Sequence, residues 1–572
     1  MRAIINLSKM CTTKAINLYM LTGLLWALSL WGDAFASTQT PQSIRDDLFI
    51  SVQRGMTSVA AKALVQSALR QQAGNPELSK ILRQRQDLLK RQKGRQKELT
   101  VSLSKQGIEA ETTVAHVQSK IDENKLKIEK LDQELDQNFP EFKELTNPSP
   151  MSVSEVQSQL RDNEAMIMTL TEQSNVYVWA ISKTSADWSR ADISRDDLDA
   201  QVRLLRKLLD VTSQNRSAVA LDDGFVASAE PFDRALAYQL YQKLLQPLAH
   251  VFGPADHLIT IVDGPLTSLP LAILIASEPE TTNDGNADLR DTDWLIKKYA
   301  LTTLPNVSSL RAIRRSASSK SGKTHKRAFV GFGDPILGYQ ANESDDTHQA
   351  SPTKDDAIHT RGVYQQVAKV ANLAPLPNTA KELRALAKVT GARDQDIYLR
   401  EQATEKAVKQ ANLTDVRVLA FATHGLLAGG LKGLTEPALV FTPPNEPNQL
   451  DDALLTASEA ASLKLSADLI ILSACNTAAS DGTPGAEGLS GLARSFLYAG
   501  ARSILVSHWP VDDYATSVLT TGMLSHMTGA EAISRSQALR HSILELMQDQ
   551  KDARHAHPRY WAPFILVGEG QL

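Results

Sequence analysis

Two residues able to do acyl-transfer chemistry close two apolar runs of this chain. The first run is Val418-Leu-Ala-Phe-Ala-Thr-His424-Gly425 and the second is Leu469-Ile-Ile-Leu-Ser-Ala-Cys475-Asn-Thr477. A thiol is a nucleophile when an imidazole beside it handles its proton, and the 51 residues from His424 to Cys475 leave room for one crossover and a loop. The competing reading is a core cysteine acting as a small hydrophobe. Against it, Asn476 and Thr477 follow Cys475 directly, and Gly425 behind His424 leaves backbone space for a substrate.

The elements that must position this pair read as alternating strands and helices. Ala165–Leu170 and Val176–Ile181 form a hairpin, helices follow at Ser194–Thr212 and Pro231–Gln246, and strands at His257–Val262 and Ala300–Leu304. Ser316–Lys326 is small and polar, a linker. A second series begins at Arg327-Ala-Phe-Val-Gly-Phe-Gly333, with a helix at Thr379–Val389, the His and Cys strands, and a strand at Ser503–Ser507. Helices at Tyr514–Met527 and Gly529–Gln550 and a strand at Phe564–Val567 end the chain. This is the α/β pattern of a doubly wound, mostly parallel sheet in two halves. Ligands bind beyond the carboxyl ends of such strands, so His424 and Cys475 face one crevice.

Upstream, Gln42 to about Phe139 is charged and helical. Val117, Ile121, Ile128, Leu131 and Leu135 recur at intervals of 4, 7, 3 and 4. Two long amphipathic helices in antiparallel contact satisfy the pattern, either as an arm for a regulatory protein partner or as a lid on the next domain. Before them, Arg2, Lys9 and Lys14 precede an apolar run to Gly32, and Ala34-Phe35-Ala36 follows. That is the layout of a secretory signal cleaved after Ala36, and it predicts export to a periplasmic or extracellular space. The alternative is an uncleaved inner-membrane anchor; after cleavage no stable membrane span is expected. The expected domains are therefore 1–36 (signal), 37–150 (helical arm), 151–325 and 326–572 (the α/β halves).

Export sharpens the cysteine question. Only Cys11 and Cys475 exist, and Cys11 lies inside the signal. A single mature thiol forms no internal disulfide and no cysteine metal site. The net charge of −4, with no basic patch carrying interleaved aromatics, gives no reason to expect nucleic acid.

Several ordered motifs resemble the CHAT domain, a bacterial branch of the caspase-like cysteine peptidases that also includes separase and the gingipains. They are Ala422-Thr-His424-Gly425, Leu472-Ser-Ala-Cys475-Asn-Thr477, the run Gly485-Ala-Glu-Gly488-Leu-Ser-Gly491 through Gly500, and Val506-Ser-His-Trp509-Pro-Val-Asp512-Asp513. Pro254–Pro270 and Leu304–Leu310 extend the resemblance upstream, so that it runs from Ser152 to the C-terminus. The resemblance implies a caspase-like fold with an inactive α/β half before an active one. It implies Cys475 as nucleophile on a protein or peptide substrate, His424 as proton carrier, and the backbone N–H groups of Gly425 and Cys475 as oxyanion hole. It implies an acidic residue, Asp512 or Asp513, in a pocket for a basic substrate residue. Helix capping is the plainer role for either aspartate. No metal or cofactor is implied.

Gly485-x-x-Gly488-x-x-Gly491 lacks the spacing and the lysine of phosphate loops, so Thr477–Gly488 reads as an active-site loop. His508 departs from the family pattern, where a leucine is usual, and reads as a structural histidine. A CHAT fold that binds peptides or scaffolds partners without turnover, and another thiol acyl-transfer enzyme, are the rival readings.

Overall fold

Strands that are apolar along their whole length need cover on both faces, and the computed structural model provides it with helices on both sides of one large sheet. It describes residues 42–55, 84, 88, 95, 108–138, 150–209, 231–279, 289–319, 325–337, 370–426, 431, 434, 436–446, 448, 451–473, 491–509, 513–529 and 531–571. The chain divides into two compact units, Met1–Ser51 and Val52–Leu572. Described residues of the first belong to helix α1 (Gln42–Gly55). The expected signal, residues 1–36, lies outside the described residues.

Helix α2 (Ile108–Asn138) buries Val117, Ile121 and Ile128 and leaves Leu126 exposed. Helix α3 (Val153–Gln159) starts with the capping box that its sequence spells, Ser152 accepting from the Glu155 N–H and Glu155 from the Ser152 N–H. Then come β1 (Glu164–Thr171), β2 (Val176–Ser182), β3 (Ala186–Ala191), α4 (Arg195–Leu209), α5 (Arg234–Leu244), β4 (His257–Ile261), β5 (Ala300–Thr303) and α6 (Ser308–Ser319). The second series is β6 (Arg327–Gly333), α7 (Pro377–Thr390), β7 (Ile397–Leu399), α8 (Glu405–Gln410), β8 (Val416–Ala422), β9 (Gly425–Leu426), β10 (Ala438–Val440), β11 (Leu454–Thr456) and β12 (Leu469–Ser473). The chain continues with α9 (Gly491–Ala499), β13 (Ser503–Ser507), α10 (Asp513–Thr528), α11 (Arg535–Met547) and β14 (Phe564–Gly568).

Eleven strands form one sheet in the order β3-β2-β1-β4-β5-β14-β13-β12-β8-β6-β7. Its neighbours are parallel except β1/β2, β2/β3 and β13/β14. The expected mostly parallel α/β fold is thus what the chain adopts. The two series do not close into separate sheets: the last strand, β14, pairs antiparallel with β13 and parallel with β5 and joins them.

Alternation along the central strands sends successive side chains to opposite layers. Val418, Ala420 and Ala422 of β8 and Leu469 and Ile471 of β12 share a core with Leu383 and Leu386 of α7 and Leu519 and Met523 of α10. On the other face Phe421 packs between Phe332 and Phe496, at ring-centroid distances of 5.6 and 5.1 Å.

Three local expectations change. Strand β3 was not legible because half of its sequence, ADWSRA, is polar, with no β-branched residue; it is an edge strand held by β2, with Trp188 opposite Trp179. Ser316–Ser319 belong to α6 rather than to a linker. The last long helix begins at Arg535 rather than Gly529, because Ser534 caps it by accepting from the Gln537 N–H.

Candidate functional site

Strands β8 and β12 are parallel neighbours, with Leu469 opposite Val418 and Ser473 opposite Ala422. Each pair differs by 51 residues, the same spacing that separates Cys475 from His424. Cys475 itself lies outside the described residues, as does Asp512. Asp513 is the first residue of α10.

His424 follows β8 directly. Its carbonyl accepts from the Val440 N–H at 3.0 Å, and Gly425 opens β9 opposite Leu439 of β10. One step earlier, the Thr423 hydroxyl is buried and donates to the Val440 carbonyl at 2.5 Å. The backbone around the imidazole is therefore clamped to β10. The imidazole has its own partner: Nε2 is 2.8 Å from the carbonyl oxygen of Ala374. A carbonyl only accepts, so Nε2 carries the proton in this contact and Nδ1 keeps its lone pair when the ring is neutral. A histidine held in this tautomer can take a proton at Nδ1.

Ala374 lies just before α7. This helix starts with proline in its first turn and stops at Gly391, whose φ of +69° ends the last turn. One turn in, Thr379 Oγ1 accepts from the N–H of Asp334, the residue after β6. Another turn on, the Glu382 carboxylate accepts from the Ser473 hydroxyl at 3.0 Å. Asp334, Arg400 and Ala453 have φ of +49°, +54° and +70°. Asp334 and Arg400 directly follow β6 and β7, and Ala453 directly precedes β11. Backbone strain of this kind persists only where surrounding structure enforces it. Here the Asp334 carbonyl accepts from the Arg400 N–H, and the Thr442 hydroxyl donates to the Arg400 carbonyl. Burial raises the Asp334 carboxyl above the usual range against the opposing charge of Arg400.

His508 is a structural residue, as its sequence context suggests. It is 3% exposed, its N–H donates to the Pro563 carbonyl, and its own carbonyl accepts from Arg206. Burial, reinforced by the Arg206 charge, pushes its pKa down to about 3. Among the described residues no three His, Cys, Asp or Glu side chains are grouped to hold a metal ion, and no helix is long and apolar enough to cross a membrane.

Sequence reasoning missed Ala374 and Glu382. A backbone carbonyl leaves no mark in a sequence. Glu382 adjoins the apolar stripe of Leu383, Leu386 and Ala387, and a carboxylate at the border of such a stripe was the available signal.

Residues 234–569 match the family model of the CHAT domain. The sheet reaches further back, to β1–β3, than this match. Tetratricopeptide repeat protein 28 of Mus musculus is 25% identical over 371 residues, covering 58% of this chain and 13% of that protein. The Homo sapiens protein of the same name is 24% identical over the same length and coverage. The chain thus spans only 13% of the length of these curated relatives. Among solved structures it is similar to a Saccharomyces cerevisiae separase–securin complex, at 12% identity and a TM-score of 0.37, covering 80% of this chain and 34% of that one. It is also similar to a chain solved as "Structure of Protease", at 12% identity and a TM-score of 0.30, with coverages of 65% and 75%. Because the family match takes in α5 through β14, the His and Cys strands included, the chain belongs to the CHAT domain family.

Proposed function

We propose that this protein is a caspase-like cysteine endopeptidase with Cys475 as nucleophile and His424 as proton carrier. The observation that carries the reading is the β8–β12 register together with the His424–Ala374 hydrogen bond. A shared 51-residue offset brings the two strand ends into step, and the bond at Nε2 directs Nδ1 to the proton transfer. In the reaction, the Cys475 thiol loses its proton to His424 and the sulfur attacks the peptide carbonyl. The carbonyl oxygen takes the negative charge, facing the N–H groups of Gly425 and Cys475. Collapse breaks the C–N bond, the leaving amine takes the proton from His424, and a thioester remains. Water, deprotonated by His424, then attacks the thioester carbonyl; the C–S bond breaks, the sulfur takes the proton back from His424, and the acid is released.

The same reading makes Asp512 or Asp513 the acidic lining of a pocket for a basic residue before the cut. It assigns residues 1–36 to export, in a periplasmic or extracellular enzyme, and the helical region around α2 to docking of a regulatory protein. Edman sequencing of the mature protein, expected to begin at Ser37, tests the export assignment. The peptidase assignment is tested by a proteomic search for new N-termini with the native protein and with Cys475→Ala. New termini that depend on Cys475 are expected, together with iodoacetamide labelling of Cys475 that is lost in His424→Ala. Identical N-terminal sets from both proteins would overturn the peptidase and leave a peptide-binding CHAT domain.

A further inference from the structure

We infer that helix α7, with the residues leading into it, holds the reacting groups in step, and that Glu382 is a positioning residue for Cys475. The inference rests on the reading of Cys475 as nucleophile. Three strand ends on the carboxyl rim of the sheet are tied to one short stretch of chain. The imidazole after β8 is bonded to the Ala374 carbonyl, the N–H after β6 to Thr379 Oγ1, and the side chain that ends β12 to Glu382. Thr379 and Glu382 are three residues apart, neighbours on one face of a helix.

Glu382 is 6% exposed, and a buried carboxylate is stable only with donors around it. Its Oε2 receives the Ser473 hydroxyl at 3.0 Å. Its Oε1 lies 3.3 Å from the hydroxyl of Thr520 on α10, which also lies 2.9 Å from the Thr516 carbonyl. A hydroxyl has one proton, and the shorter contact holds it better, so Ser473 is the stronger of these two partners. Ser473 lies on the same face of β12 as Leu469 and Ile471, which pack toward α7, so the bond follows from strand alternation. Ser473 is two residues before Cys475. The bond to Glu382 fixes the side chain that ends β12, two residues before the thiol in the sequence, while Ala374 holds the imidazole. Packing alone would be met by an apolar side chain at 382; a carboxylate bonded to the last residue of the Cys strand adds a hold on that side chain.

The test follows the rate of Cys475 alkylation by iodoacetamide between pH 5 and 9 on the full chain, by mass spectrometry, beside circular dichroism and thermal melting. Native protein and His424→Ala establish the underlying reading: fast alkylation that slows in the variant. Glu382→Leu and Ser473→Ala should each slow alkylation at neutral pH on the order of 10- to 100-fold with the fold retained. Glu382→Gln, which keeps an acceptor for Ser473, should restore the rate to within about 3-fold of native, and Thr520→Val should leave it unchanged. Native alkylation rates in folded Ser473→Ala and Glu382→Leu, with His424→Ala still slow, would overturn the role of Glu382 and leave the dyad standing. A native thiol no faster than free cysteine and indifferent to His424→Ala would instead remove the dyad, and the positioning role with it.

Discussion

Ser473 stands opposite Ala422 across the β12–β8 ladder, and the 51 residues between them are also the 51 between Cys475 and His424. Parallel strands in register keep a constant offset, so β8 and β12 end at the same level, at Ala422 and Ser473. The opposite ends of the same strands are also tied: the Asp468 N–H donates to the Arg417 carbonyl.

Gly333 ends β6 at this same level, opposite Ala422 on the other side of β8. A Cβ built there would stand 2.5 Å from the Ala422 carbonyl oxygen and 2.8 Å from Leu383 of α7. Neither the strand backbone nor the packed helix yields easily, so Gly333→Ala should destabilise the protein by about 1–3 kcal/mol. It should also displace the end of β8 that carries His424. Urea melts measure the first effect, and slower Cys475 alkylation in the folded fraction measures the second.

The pocket assignment separates the two aspartates. If Asp512 or Asp513 receives a basic substrate residue, replacing the correct one with asparagine should lower kcat/KM on Lys or Arg substrates by about 2–5 kcal/mol, since loss of one partner strands the other charge. The neighbouring substitution should leave it within about 3-fold. Cut sites dominated by apolar residues would sink the pocket in both variants.

Glu164 predicts the acid limb of stability. Burial alone would raise its carboxyl, but the bond to His257 and the charge of Arg314 outweigh burial and hold it down, to about 2. The unfolded carboxyl protonates near 4.5, so between that value and 2 the unfolded chain binds the extra proton. Stability from this group is complete above pH 4.5 and is lost as pH falls toward 2. Glu164→Gln should cost on the order of 3 kcal/mol at neutral pH and flatten that part of the curve. Chemical denaturation at a series of pH values reads both.

His508 acts over a different window. The folded ring stays neutral down to about pH 3, whereas the unfolded ring takes a proton near 6.5. Stability therefore falls as pH drops from 6.5 toward 3, at up to about 1.4 kcal/mol per pH unit. His508→Leu should remove this slope while alkylation of Cys475 at neutral pH stays native. An unchanged slope would mean that the ring is charged in the folded protein.

The order of strands and helices, the strands that precede His424 and Cys475, and the resemblance to the CHAT domain were legible along the chain. Each is written in local periodicity or in short motifs such as Ala422-Thr-His424-Gly425. Strand β3 escaped because pairing with β2, rather than its own composition, makes it a strand. Ala374 escaped because its part is played by a carbonyl that every residue carries. The union of both halves through β14 and the contact of Glu382 with Ser473, 91 positions apart, were decided only by the tertiary structure. Local sequence specifies which face of a strand or helix must be covered; which distant segment covers it depends on how the layers pack together.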